Sequence, residues 1–326
     1  MPDGGGRLLT SVRAPRLGAA RRLGKRAFRV ADRAFLAEGP QAVREALADP
    51  RGLVSELYLT ESAAQRYPDL LGPAGGAAGG SEPGAAGGSA RGGVSGGVSG
   101  GVSGGVSGGV SVAAEPSVQL VTEAVLGQLA QTVTPQGVLA VVRMCDVPLA
   151  DVVAARPRLV SILARVRDPG NAGTVLRTAD AAGSDAVVFS DASVDPYNGK
   201  CVRASAGSLF HLPVVTGAPV ADAVAALRAA GLTVLAADGA TGTNLDAIET
   251  AGGLAGPTVW IFGNEAWGLP PDVAGLADLV VAVPIHGRAE SLNLAAAVAV
   301  CLYASARAQR SPGGCRAQVP GADPIA

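Results

Sequence analysis

The chain is poor in aromatic residues: Phe, Trp and Tyr make up 3% of its 326 residues. Its core must be built from Ala, Val, Leu and Ile, and a hydrophobic content of 48% makes a sizeable core possible. Cysteine and histidine are also scarce. Cys145, Cys201, Cys301 and Cys315 stand far apart without a CxxC pair, beside only His211 and His286. That spacing excludes the common zinc sites, so no metal is expected. Cysteines without a secretion signal read as reduced thiols of a cytoplasmic protein. No apolar run of about 18 residues free of breakers occurs, so no membrane span is expected. No GxGxxG follows a strand and no GxxxxGKS/T occurs, which argues against a usual dinucleotide site and a P-loop. GxSxG appears only inside a Gly-rich repeat, where no strand-to-helix turn is available for a hydrolase nucleophile.

Net charge is −1, so nothing global announces a polyanionic partner. The first 34 residues differ. Arg7, Arg13, Arg16, Arg21, Arg22, Lys25, Arg26, Arg29 and Arg33 face only Asp3 and Asp32 there. Residues 1–27 read as a basic arm: an RNA contact, a solvated tail or an organelle-targeting peptide.

Residues 31–36 have a helical composition, and Glu38-Gly39-Pro40 punctuates them. Residues 42–48 place Val43 and Leu47 on one helical face, and residues 54–59 read as a strand. Between residues 92 and 111 the tetrad Gly-Gly-Val-Ser repeats without interruption. The surrounding segment, 72–116, cannot bury enough apolar surface to offset its ordering entropy and is expected to be a flexible insertion. Ser117 or Thr122 is the expected cap of a helix running to Leu129, followed by a strand at 137–142. One N-terminal unit, 28–145, therefore carries the insertion, and a link follows near 146–157. Strands are then expected at 159–164, 186–189, 212–215, 233–237, 258–262 and 279–283, with helices at 173–182, 199–207, 220–230 and 292–308. Such alternation implies an α/β unit with a mainly parallel sheet, whose ligands gather at the carboxyl ends of its strands. Residues 309–326 read as a flexible tail.

Three loops after strands carry unusual residues. In the first, Pro169-Gly170 suggests a turn with one positive φ, Asn171 suggests a helix cap, and Arg177 lies within that helix. In the second, an apolar strand ends at Gly263, where a ligand or another backbone can approach closely, and Glu265 follows as either a cap or a catalytic carboxylate. In the third, Ser291 and Asn293 open an Ala-rich helix. A serine there is usually a cap, whereas an asparagine in the first turn invites a functional explanation. Lys200 and Arg203, between the first two loops, are candidate phosphate contacts or plain surface charges.

The strings NAGTVLRTAD, FGNEAWGLP and VPIHGRAESLNLAAAVAV, in that order, resemble the three motifs of the SpoU/TrmH branch of the SPOUT methyltransferases. RASAGSLFHLPV between the first two is similar to the same family, and the likeness covers roughly residues 157–308. RAFLAEGPQAVREAL and VTPQGVLAVV resemble the small ribosomal-protein-like α/β domain that many members carry for substrate binding. The resemblance implies a trefoil-knotted, mainly parallel sheet in a catalytic domain at 157–308, dimerising through that domain. It implies S-adenosyl-L-methionine as cofactor, held by Gly263, Val283, Ile285 and Leu292. It implies RNA as partner, ribosomal RNA before tRNA, methylated on a ribose 2′-hydroxyl by Asn171, Arg177, Glu265, Ser291 and Asn293. A non-catalytic RNA-binding module is the alternative.

Overall fold

The computed structural model describes residues 8–10, 15–71, 115–239, 242–264 and 268–310. The Gly-Gly-Val-Ser repeat, residues 311–326 and Glu265 lie outside the described residues, while Gln309 and Arg310, expected in the tail, close the last helix.

The N-terminal unit begins with helices α1 (Pro15–Arg22) and α2 (Arg26–Asp32), followed by β1 (Ala34–Glu38), α3 (Pro40–Ala48), β2 (Val54–Leu59) and α4 (Glu61–Arg66). After the undescribed insertion come β3 (Ser117–Leu120), α5 (Glu123–Leu129) and β4 (Val138–Arg143). The four strands form a mixed sheet in the order β1-β4-β2-β3, with β4 antiparallel to both neighbours and β3 parallel to β2. Thr122, not Ser117, caps α5, its side chain accepting from the Val125 N–H. Residues 15–27, expected within a basic arm, are part of this packing: Leu17, Ala20 and Leu23 are buried in the apolar cluster that α5 also joins.

The expected helix at 31–36 is not formed. α2 ends at Asp32, Arg33 turns the chain with φ 49°, and Ala34–Glu38 pairs along its whole length with β4. Ala and Leu favour helices, but sheet pairing and burial override propensity here.

The second unit runs α6 (Leu149–Ala154), β5 (Leu159–Leu163), α7 (Pro169–Ala182), β6 (Ala186–Ser190), α8 (Gly199–Ser205), α9 (Ser208–His211), β7 (Val214–Ala218), α10 (Val220–Ala229), β8 (Thr233–Ala237), β9 (Thr243–Asn244), α11 (Leu245–Thr250), β10 (Thr258–Phe262), α12 (Pro271–Ala274), β11 (Leu279–Ala282) and α13 (Leu294–Arg310). Sequence reasoning missed α6, which sits inside the expected link, and also missed α4, α9, β9, α11 and α12. The sheet order is β7-β6-β5-β10-β8-β11-β9, and every pairing is parallel. β5, β6 and β10 are buried at every position, as strands covered on both faces must be. Trp260 is fully buried on β10, and its indole N–H donates to the Ser305 hydroxyl on α13 at 2.9 Å. That bond satisfies a donor which burial would otherwise leave orphaned.

The two units share one core. Phe35 of β1 stacks near Phe210 of α9 and meets Tyr197, with ring centroids 6.2 and 4.7 Å apart. Arg29, one of the basic residues that crowd the first 34 positions, is buried at the seam. Its guanidinium donates to Asp195 at 2.6 and 2.9 Å and to the carbonyls of Leu23 and Gly24.

Candidate active site

The first loop is organised differently from its sequence expectation. Asp168, not Asn171, caps α7, accepting from the N–H groups of Gly170 and Asn171 at 3.1 and 3.3 Å. Pro169 is the first helical residue, where its missing N–H costs nothing, and Gly170 does not adopt positive φ. The Lys200 ammonium sits 2.6 Å from Asp168 and holds that carboxyl below the usual carboxylate range. Lys200 is thus engaged in the loop, and Arg203 is engaged with Glu38 at 3.1 Å. Gly173 has a packing reason: a Cβ there would overlap the Cys201 carbonyl oxygen, so α7 and α8 approach through a bare backbone.

With Asp168 as the cap, the Asn171 side chain turns to another partner. Its carbonyl oxygen accepts from the Asn293 amide at 3.1 Å. Asn293 in turn accepts from the Ala295 N–H at 2.9 Å and so caps α13. A residue from the first loop and one from the third, 122 apart in sequence, are therefore joined. Asn264, from the second loop, donates to the Arg165 carbonyl at 3.3 Å at the exit of β5. Its backbone exchanges two hydrogen bonds with Gly268. Sequence reasoning missed Asn264 and Asp168, although an Asp before Pro-Gly at a helix start is a legible cap signal.

Gly263 is buried beside this turn, and a Cβ there would overlap the Gly268 carbonyl oxygen. Its need for glycine is met by the chain's own backbone. Val283 is half-buried, while Ile285 and Leu292 are exposed at 36% and 38%. Ser291 is exposed. Arg177 is exposed on α7, about 9 Å along the helix axis from Asn171 by the helical rise. Arg167, Arg177 and Arg288 make no ion pair among the described residues. The loops thus present exposed apolar side chains, exposed cations and paired amides at the carboxyl ends of β5, β10 and β11.

Residues 158–303 match the model of the SpoU rRNA methylase family. Over 184 residues the chain is 38% identical to the 23S rRNA (guanosine(2553)-2′-O)-methyltransferase of Bacillus subtilis, covering 56% of this chain and 70% of that protein. The chain belongs to the SpoU rRNA methylase family. The fold agrees along nearly the whole length. The AdoMet-bound rRNA methyltransferase from Sinorhizobium meliloti superposes with a TM-score of 0.69 at 29% identity, covering 92% of this chain and 96% of that one. The SpoU methyltransferase AviRb from Streptomyces viridochromogenes, in complex with AdoMet, gives 0.65 at 27% identity, covering 90% and 98%. The small mixed sheet followed by a larger parallel sheet is the architecture consistent with the knotted SpoU/TrmH fold. The usual rule against threaded connections would not anticipate that topology.

Proposed function

We propose that this SpoU-family chain transfers a methyl group from S-adenosyl-L-methionine to a ribose 2′-hydroxyl of RNA, with ribosomal RNA as substrate. The observation that carries the reading is the Asn171–Asn293 bond, which fastens two motif-bearing loops into one site. The residues present fit the cofactor. Ile285 and Leu292 expose apolar surface in an otherwise polar loop, suited to covering an adenine.

When bound, S-adenosyl-L-methionine supplies an electrophilic methyl on a sulfonium. Gly263, Val283, Ile285 and Leu292 would hold the cofactor, which would supply that methyl to the ribose oxygen, and the hydroxyl proton would pass to solvent. Arg177 stays protonated at any relevant pH, so it serves as a cation: it binds the adjacent phosphate and stabilises negative charge developing on the oxygen. Asn171 and Asn293 hold the two loops in register. Ser291 and Glu265 orient the ribose and the arginine. Arg167 and Arg288 add phosphate contacts.

The exposed Val300 and Tyr303 on α13 support a homodimer, because a second copy would cover them. Cys145, Cys201 and Cys301 are free and buried, which supports a reducing, cytoplasmic setting.

Incubation with tritiated S-adenosyl-L-methionine and total RNA tests the reading. It predicts label in ribosomal RNA at an alkali-resistant dinucleotide, the mark of a 2′-O-methyl. Binding of S-adenosylhomocysteine with no labelled RNA would favour the non-catalytic module, and binding of NAD alone would end the proposal.

A further inference from the structure

A second recessed site lies away from these loops, where the two units meet. It is a cleft of about 250 Å³ between the first turn of α3, the loop at 132–136 and the side of α8. Its floor is the Glu38 carboxylate, which accepts from the Gln131 N–H, the Thr132 hydroxyl and the Arg203 guanidinium. That charge is buried and paired within the protein. The amides of Gln41 and Gln136 and the hydroxyl of Thr134, all on exposed residues, line the opening, and the Gln41 amide also donates to Glu45 at 2.9 Å. No side chain caps the start of α3 at Gly39, so its first backbone donors border the same space. Val133, between the lining residues Thr132 and Thr134, is 99% exposed.

This lining is charge-balanced and mixes donors with acceptors. It lacks the unpaired cations that a phosphate would call for, and Pro40, Ala42 and Ala206 set apolar surface beside its polar groups, against which a flat ring can lie. It suits a flat, uncharged heterocycle bearing exocyclic carbonyl and amino groups, and RNA supplies such groups where a base is unstacked and splayed out. Helix α8 links the cleft to the candidate active site. Gly199, at the start of α8, abuts the Gln131 side chain, with Arg203 beside it. The next residue, Lys200, reaches Asp168 and Gly170 at the start of α7, one residue from Asn171. From Lys200 to Arg203 the helix rises about 4.5 Å.

We infer that this cleft receives one unpaired RNA base near the methylated nucleotide and reads its edge through Gln41, Thr134 and Gln136. The inference rests on the proposed RNA substrate. It gives the N-terminal unit a direct part in choosing which nucleotide is methylated.

The test is filter binding of an unmethylated 23S rRNA transcript to the full chain. Thr134→Trp fills the cleft from an exposed position, and Gln136→Ala removes one reading group. Thr134→Trp should weaken binding about tenfold and Gln136→Ala about threefold, in line with one lost base contact, while both keep the wild-type melting temperature and S-adenosylhomocysteine affinity. A transcript made abasic, one nucleotide at a time, around the methylated position should lose as much at one site with wild type, and no more when combined with Thr134→Trp. Binding by Thr134→Trp within twofold of wild type, or additive losses at every abasic site, would overturn the cleft assignment and leave the methyltransferase reading intact. A wild type that binds S-adenosylhomocysteine but neither binds nor methylates the transcript would overturn the RNA reading, and the cleft with it.

Discussion

The seam between the two sheets and the loop cluster around Asn171 are built in opposite ways. At the seam, Arg29 and Asp195 meet with side chains only 4% and 10% exposed, and Phe35, Tyr197 and Phe210 pack beside them. In the loop cluster, Arg177, Ser291, Ile285 and Leu292 are exposed, and the Asn171–Asn293 bond is itself at the surface. A closed seam fixes one unit against the other. An open cluster leaves polar and apolar groups free for ligands. The protein thus puts its rigidity where domains meet and its unsatisfied capacity where chemistry is proposed.

The largest expected effect is at the seam. Asp195→Ala strands a buried guanidinium, and urea unfolding should show a loss of about 3–5 kcal/mol. A loss under 1 kcal/mol would mean that the seam is not locked by this pair. In the loop cluster, Arg177→Ala should leave stability and S-adenosylhomocysteine affinity unchanged while lowering kcat by about 10²–10³-fold. Equal losses of cofactor binding would move Arg177 to the other side of the site. Asn293→Ala removes both the α13 cap and the tie to Asn171, and should cost about 1 kcal/mol in thermal unfolding. Ser291→Ala, at an exposed residue that caps no helix among the described residues, should stay within about 0.5 kcal/mol.

A pH dependence sharpens the same contrast. His211 of α9 lies 2.8 Å from Asp180 on α7 and 3.3 Å from Glu45 on α3, so it bridges the units. Burial pulls its pKa down, but the hydrogen bonds to Asp180 and Glu45 outweigh burial and raise it above the usual histidine value. The stabilisation is therefore fully present below the unfolded value of about 6.5 and is lost as pH rises through the higher folded value. His211→Gln should flatten that part of the stability-versus-pH profile, and an unchanged slope would remove His211 from the seam. The smallest effect is expected from deleting residues 92–111. Each halving of loop length changes closure cost by only about 0.6 kcal/mol, so methyl transfer should be nearly unchanged. A large loss would show that the insertion touches substrate.

The parallel sheet was legible because β5, β6 and β10 are buried on both faces and so appear as mostly apolar runs. The N-terminal unit was harder to read. Its first strand has a helix-like composition, and only pairing with β4, more than 100 residues away, makes it a strand. The seam was invisible for the same reason: Arg29 and Asp195 are 166 residues apart, and isolated charges in sequence carry no address. The residues of the site emerged from motif resemblance, not from spacing. Local reading made Asn171 a cap, whereas Asp168 takes that role and leaves Asn171 to reach Asn293.

Hydrogen exchange with and without S-adenosylhomocysteine tests most directly whether the three loops form one cofactor site. Slowed exchange at residues 263–264, 283–285 and 292–294, with the seam at 29–38 and 195–197 unchanged, is the expected result. Slowing confined to the seam, or to none of these loops while the ligand is bound, would contradict it.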